Sequence, residues 1–328
     1  MAGRPKVLCM VDLALAQPAL DLLRSSAEVD YRPADRATAL SMIHDFDAFW
    51  GHTNIKVDKE FLERGVHLKV VNTASTGTDH IDKEEAARRG IKVLSITRDY
   101  GLLDTFTATA ECAWMLLLAC CRHLRPALQD VIAGHWRYER FIGEQLSRRT
   151  LGVLGVGRLG RMVAEYGKAF RMRVLGCDLK PFCIPGVTQV GFPALLRESD
   201  AVTIHIHMTP ENHHLFNSDT FALMKDRALL INTSRGDLID EFALIEALER
   251  GKLAAFGADV VHDEWLADMG QSPLVRYARA HDNVLITPHV GGATLKSVID
   301  ARVFSARKLV HFLQTGEELT MPGGQDAG

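Results

Sequence analysis

The chain has 328 residues, enough for about two domains at roughly 150 residues each. Hydrophobic residues make up 47% and charged residues 24%, with 38 Lys and Arg against 41 Asp and Glu, for a formal charge of −3. That balance, without a run of like charge, argues against nucleic acid or a membrane surface as partner. The longest apolar stretch, 108–121, is broken by Glu111 and falls short of the roughly 20 residues that span a bilayer. The six cysteines form no C-x-x-C pair, and the N-terminal apolar run is too brief for a secretory signal. Both observations point to buried thiols in a reducing, cytoplasmic setting.

In chain order, short apolar runs rich in β-branched residues occur at 6–11, 47–51, 68–74 and 91–96. A second group follows at 150–155, 172–178, 201–208, 228–232, 253–260 and 283–288. Runs that are apolar throughout, rather than alternating, suit strands covered on both faces, as in a parallel sheet. Segments 82–90 and 238–251 read as crossover helices ending at a glycine. The stretch 104–149 carries no strand signal; within it, 105–124 is apolar on most faces and predicts a helix buried between domains or at a subunit interface. A last helix is expected over 295–314, followed by a disordered tail. The pattern predicts an α/β protein: two doubly wound Rossmann-like domains with a cleft between them. The expected division is 1–103 plus 295–328 for one domain and 104–294 for the other.

Residues 152–160 read GVLGVGRLG, which places Gly155, Gly157 and Gly160 in G-x-G-x-x-G between a strand and a helix over 161–170. Gly155 permits the tight turn, Gly157 admits a pyrophosphate to the backbone, and Gly160 packs helix on sheet. The helix N-terminus favours the anion. Asp178 closes the next strand, where a carboxylate accepts from ribose hydroxyls and repels a 2′-phosphate, so the cofactor expected is NAD rather than NADP. His205 and His207, at alternate positions of a strand run, share one face and are read as lining the adenine side; with no third ligand evident, no metal site is expected.

Three later blocks, INTSRGDLIDE (231–241), GADVVHDEW (257–265) and ITPHVGGAT (286–294), each follow a strand signal. In open α/β sheets, ligands bind at the carboxyl ends of strands, so Arg235, Asp259, Glu264 and His289 are expected to face one site. Their residue types suit oxidation of an alcohol beside a carboxylate. An imidazole exchanges the proton near neutral pH, and an adjacent carboxylate fixes its tautomer and favours the imidazolium. A guanidinium fork binds carboxylate and carbonyl oxygens.

With TASTGTDHID (73–82) in the first domain, these blocks resemble the D-isomer-specific 2-hydroxyacid dehydrogenase family over nearly the whole chain. The resemblance implies catalytic roles for Arg235, Glu264 and His289. It implies cofactor binding by Gly155, Gly157, Arg158, Leu159, Gly160, Asp178, His205, His207, Thr233, Ser234, Arg235, Asp259, His289 and Gly291, with Asp259 beside the nicotinamide. Substrate contacts are implied for His52, Thr53, Ser75, Thr76, Gly77, Arg235 and His289, the backbone amides at 75–77 taking the carboxylate. It further implies a homodimer formed through the cofactor domain.

Some residues depart from the family pattern. His52 stands where phosphoglycerate-type members tend to carry Arg, which speaks against a phosphorylated substrate. The chain also ends too early for the regulatory domain of many such enzymes. Segment 96–111 is longer than the usual linker, with Arg98 and Tyr100 either reaching the active site or shaping a hinge. His207 and Trp265 replace common prolines, and Trp265 raises the question of a shifted Glu264 loop. The expected activity is NAD-dependent hydride transfer at C2 of a small D-2-hydroxy acid or 2-keto acid, of the hydroxypyruvate or glyoxylate reductase kind. The alternatives are a dinucleotide-sensing, co-repressor-like interaction protein, or a dehydrogenase of a sugar acid or phosphonate on the same scaffold.

Overall fold

In the computed structural model, residues 3–264 and 268–323 are described. The chain divides into two compact units, one made of Met1–Phe106 with Thr294–Gly328 and the other of Thr107–Ala293.

The first unit holds five parallel strands, β1 (Lys6–Cys9), β2 (Glu28–Tyr31), β3 (Ala48–Trp50), β4 (Val70–Asn72) and β5 (Lys92–Leu94), in the order β2-β1-β3-β4-β5. Alternate residues of β1 feed two separate cores. Val7 and Cys9 join Trp50, Val70 and Leu94 in one cluster, and Leu8 joins Phe49 and Val71 in the other. Both faces are therefore apolar, which is why the run reads as continuous rather than alternating. The helix Leu295–Thr315 brings the end of the chain back onto this unit, placing Ala306, Leu309 and Val310 in the Val7 cluster.

The second unit holds seven parallel strands. They are β6 (Thr150–Leu154), β7 (Arg173–Cys177), β8 (Val187–Gln189), β9 (Ala201–Ile204), β10 (Ala228–Asn232), β11 (Leu253–Ala258) and β12 (Val284–Ile286). Their order, β12-β11-β10-β9-β6-β7-β8, reverses direction between β6 and β9. Doubly wound sheets bind ligands at such a crossing point.

Two expectations are corrected. The apolar run 201–208 yields a strand only to Ile204, so His205 and His207 lie in the loop beyond it rather than on a strand face. The helix expected over 105–124 is Ala108–Cys121, and its Ala113, Trp114, Leu116, Leu117 and Cys120 belong to the second unit's own core, together with Leu151, Val153 and Ile231. Strands β2 and β8, for which no strand was expected, carried no clear signal because none of their residues is fully buried and polar residues interrupt each short run.

Candidate active site

The second unit delivers its candidate residues from loops at the carboxyl ends of β6, β7, β9, β10, β11 and β12. In the glycine turn the three positions are constrained differently. Gly155 has φ +87° and a Cβ there would stand 2.6 Å from the His205 carbonyl oxygen, while one on Gly160 would stand 1.9 Å from the Gly155 oxygen. Those two glycines are needed by the protein's own packing. Gly157 is different: its Cβ would meet nothing within 4 Å, so the space over it is open to an approaching group. The helix Arg158–Ala169 begins directly after it, with Leu159 packed toward the core. Asp178 reaches back to this turn, its Oδ2 accepting from the Val156 N–H at 2.7 Å and its Oδ1 from the Lys180 N–H at 3.1 Å.

Across the crossing point, His205 Nε2 lies 2.8 Å from Thr203 Oγ1, and burial pushes the imidazole pKa down to about 4, so the ring is neutral. Its Nδ1 and the Thr233 hydroxyl are buried, with no hydrogen-bond partner among the described residues. Two orphaned buried polar groups beside an uncovered glycine turn are what a polar ligand at this crossing point would satisfy. The residues present therefore fit a dinucleotide. His207 is exposed.

The loop after β10 is shaped by Asn232, a residue the sequence reading passed over. This fully buried side chain accepts from the Ser234 N–H at 2.9 Å and donates to the Arg235 carbonyl at 2.8 Å, while Ser234 Oγ donates to the Ile204 carbonyl at 2.8 Å. An Asn closing a strand just before a turn is a recognisable signal for such a motif.

The loop after β12 is fixed by Asp259, 2% exposed. Its carboxylate accepts from Thr287 Oγ1 at 2.5 Å, from the Val290 N–H at 2.9 Å and from the Gly291 N–H at 2.7 Å. Those bonds hold His289 at φ 54°, a left-handed conformation that costs energy unless its surroundings impose it. Asp259 is thus the anchor of the His289 loop, and Thr287 is a second residue that sequence reasoning missed there.

His289 Nδ1 stands 2.7 Å from Glu264 Oε1. A carboxylate can only accept here, so Nδ1–H is the donor and Nε2 is left to exchange the proton. The Glu264 hydrogen bond raises the His289 pKa above its ordinary value, with Asp259 adding to the rise, while burial and the charge of Arg235 oppose it. Imidazole, carboxylate and guanidinium are therefore electrostatically coupled. Trp265, expected to bear on the Glu264 loop, lies outside the described residues.

In the first unit, His52 follows β3 and Ser75 follows β4, at the carboxyl ends of adjacent strands. His52 is exposed and Thr53 half-buried, with His52 Nδ1 3.2 Å from Asn54 Oδ1. The turn at 75–77 is set by Ser75 Oγ, which donates to the Gly77 carbonyl at 2.6 Å, and by Thr97 Oγ1, which donates to the Thr76 carbonyl at 2.7 Å.

A doubly wound sheet with an uncovered glycine turn and a hydrogen-bonded His289–Glu264 pair suits a dinucleotide-dependent oxidoreductase. Residues 114–291 match the model of the D-isomer specific 2-hydroxyacid dehydrogenase, NAD binding domain. The D-3-phosphoglycerate dehydrogenase of Synechocystis sp. is 33% identical over 307 residues, 92% of this chain and 53% of that protein. The glyoxylate reductase of Thermococcus litoralis is 35% identical over 294 residues, 86% of this chain and 85% of that enzyme. A D-lactate dehydrogenase from Aquifex aeolicus, solved with NAD and lactic acid, matches with a TM-score of 0.84 at 28% identity, covering 95% of this chain and 96% of that one. The chain belongs to the D-isomer-specific 2-hydroxyacid dehydrogenase family. It spans about half the length of the phosphoglycerate dehydrogenase and most of the length of the reductase.

Proposed function

We propose that the chain interconverts small D-2-hydroxy acids and 2-keto acids, with glyoxylate and hydroxypyruvate as the first substrates to test. The observation that carries this reading is the 2.7 Å contact between His289 and Glu264, electrostatically coupled to Arg235. NAD supplies the hydride acceptor and donor; the second unit's loops hold it, with the open backbone at Gly157, the Asp178 carboxylate, Thr233 and His205 as the groups that would bind it. Arg235 offers forked donors to the substrate's carboxylate and carbonyl oxygens and steadies the charge that grows on the latter. His289 gives its Nε2 proton to the carbonyl oxygen in reduction and takes it back in oxidation. Glu264 fixes the tautomer and favours the imidazolium. The turn at 75–77, with His52 and Thr53, is the proposed substrate-recognition segment of the first unit. His52, standing where phosphoglycerate-type members tend to carry Arg, favours a substrate without a phosphate.

The test is NADH oxidation with a panel of 2-keto acids, followed against pH. Because the His289 pKa is raised, reduction is expected to be fastest below that pKa and to fall as pH climbs through it, with alcohol oxidation rising over the same window. Glu264→Gln removes the largest cause of the rise, so both limbs should move to lower pH. A protein that binds NADH yet reduces no 2-keto acid at any pH ends this reading.

A homodimer is the second part of the proposal. On the second unit, Met115, Leu128, Val131, Ile132, Trp136, Tyr138 and Ile142 are all exposed. Met115 and Leu128 also line an apolar groove of about 800 Å³ between the helices Ala108–Cys121 and Pro273–Ala280, whose far end reaches Glu264 and His289, so the dimer face is assigned to the exposed residues and not to the groove. Exposed apolar area on this scale calls for cover. Sedimentation equilibrium should report twice the 36.3 kDa chain mass, and a monomer at micromolar concentration would reject it.

A further inference from the structure

A side-chain cluster outside the residues discussed so far joins the loops that carry Arg235 and Glu264. Gly236 lies flat against the neighbouring loop: a Cβ there would stand 2.0 Å from the Val261 carbonyl carbon and 2.3 Å from the His262 nitrogen. Beside that crossing, His262 Nδ1 meets Asp237 Oδ1 at 2.5 Å, and the His262 backbone N–H donates to Glu241 Oε1 at 3.0 Å. Asp237 follows Arg235 by two residues, and His262 precedes Glu264 by two. Asp263, the residue between, holds a left-handed φ of 49°.

We propose that His262 is a positioning residue for the acid/base site: paired with Asp237, it clamps the Glu264 loop to the Arg235 loop and so sets where the Glu264 carboxylate meets His289. The proposal rests on the roles assigned to His289, Glu264 and Arg235 above. Strand β11 ends at Ala258, so the carboxylate sits six residues beyond the last ladder position. The left-handed Asp263 would relax toward an ordinary conformation if released, and that rotation would swing Glu264 away. The His262 and Asp237 side chains are each close to half exposed, so their pairing contributes little to global stability. Its leverage is positional, since a misplacement of about 1 Å can cost about a hundredfold in rate.

The charged groups facing the His262 ring are Asp237 from the loop after β10, Glu241 from the helix that follows it and Asp263 from its own loop. All three are acidic, and the Asp237 hydrogen bond is the largest reason the ring's pKa stands above its ordinary value. The His262 imidazolium therefore persists to higher pH than an unpaired imidazole would, and the clamp weakens as pH rises through that raised pKa.

The experiment compares His262→Gln, Asp237→Asn, their double mutant and His262→Lys in the intact chain. Each single neutral variant should lower kcat for 2-keto acid reduction by about tenfold with an unchanged KM for NADH, and the double should be no worse than either single. His262→Lys keeps a cation opposite Asp237 at every working pH, so it should restore most of kcat. A second readout needs no turnover: in His262→Gln, the His289 titration followed by NMR should move to lower pH as Glu264 disengages. The proposal is overturned if both single variants keep kcat within about twofold, if the losses add, or if NADH binding and the unfolding midpoint fall along with kcat. If the wild-type chain reduces no 2-keto acid, it is the functional reading that fails. The NMR titration then decides the clamp alone, an unshifted His289 overturning it.

Discussion

Replacing His289 with Gln is expected to lower 2-keto acid turnover by about 10²–10⁴ while NADH still binds. Gln keeps a polar group opposite Glu264 but has no proton to exchange near neutral pH. The backbone around the position should survive, because Asp259 holds the Val290 and Gly291 N–H groups and does not depend on the imidazole. The φ of 54° at His289 is the one structural complication, since Gln tolerates it less well than His does. Asn accepts left-handed backbone more readily, so His289→Asn serves as the control with the strain removed. Steady-state kinetics beside a fluorescence titration of NADH gives the answer. Turnover near the wild-type rate in either variant would remove His289 from the acid/base role. Equal loss of turnover and NADH binding would point to damage in the loop rather than lost chemistry.

The sequence was most readable where local chemistry and burial agree. Strands such as β6 and β10 carry apolar residues on both faces because helices cover both, and the loops after them announce themselves through Gly155 and Arg235. Legibility fails at β2 and β8, where no residue is fully buried and polar residues mix into the run. It fails again at the end of β9. There the strand-like pattern runs on through His207, but the chain must leave the sheet at the crossing point, whose tight Gly155–His205 approach permits no continuation. The polar contacts that position the site were the least visible. Asp259 showed in the sequence as an acid at a strand end; that its lone pairs hold the His289 loop depends on residues 28 to 32 positions away. The His262–Asp237 pair spans 25 positions and belongs to no periodic pattern.

Segment 96–111 leads to the second large expected effect, which concerns stability. Its Arg98 and Tyr100 were singled out by the sequence, yet both are exposed; the consequential residue is Asp99 between them, fully buried. Lys308, 209 positions later on the helix Leu295–Thr315 and 1% exposed, donates to Asp99 Oδ2 at 2.7 Å, to the Ser95 carbonyl at 2.8 Å and to Glu318 Oε1 at 3.2 Å. All three ammonium protons are thereby used. The other Asp99 oxygen accepts from the Met321 N–H at 2.8 Å, so the pair ties the returning C-terminal segment to the first unit. Lys308→Met leaves Asp99 buried without its counter-charge and is expected to destabilise the first unit by about 3–5 kcal/mol, read as a lower urea midpoint. The reason is desolvation: the intact pair adds little beyond what well-packed apolar side chains would give, but a lone buried carboxylate is costly. Adding Asp99→Asn to Lys308→Met should therefore recover part of the loss, making the double variant more stable than Lys308→Met alone. A single variant that unfolds at the wild-type midpoint, or a double variant less stable than the single, would show that Asp99 does not depend on Lys308.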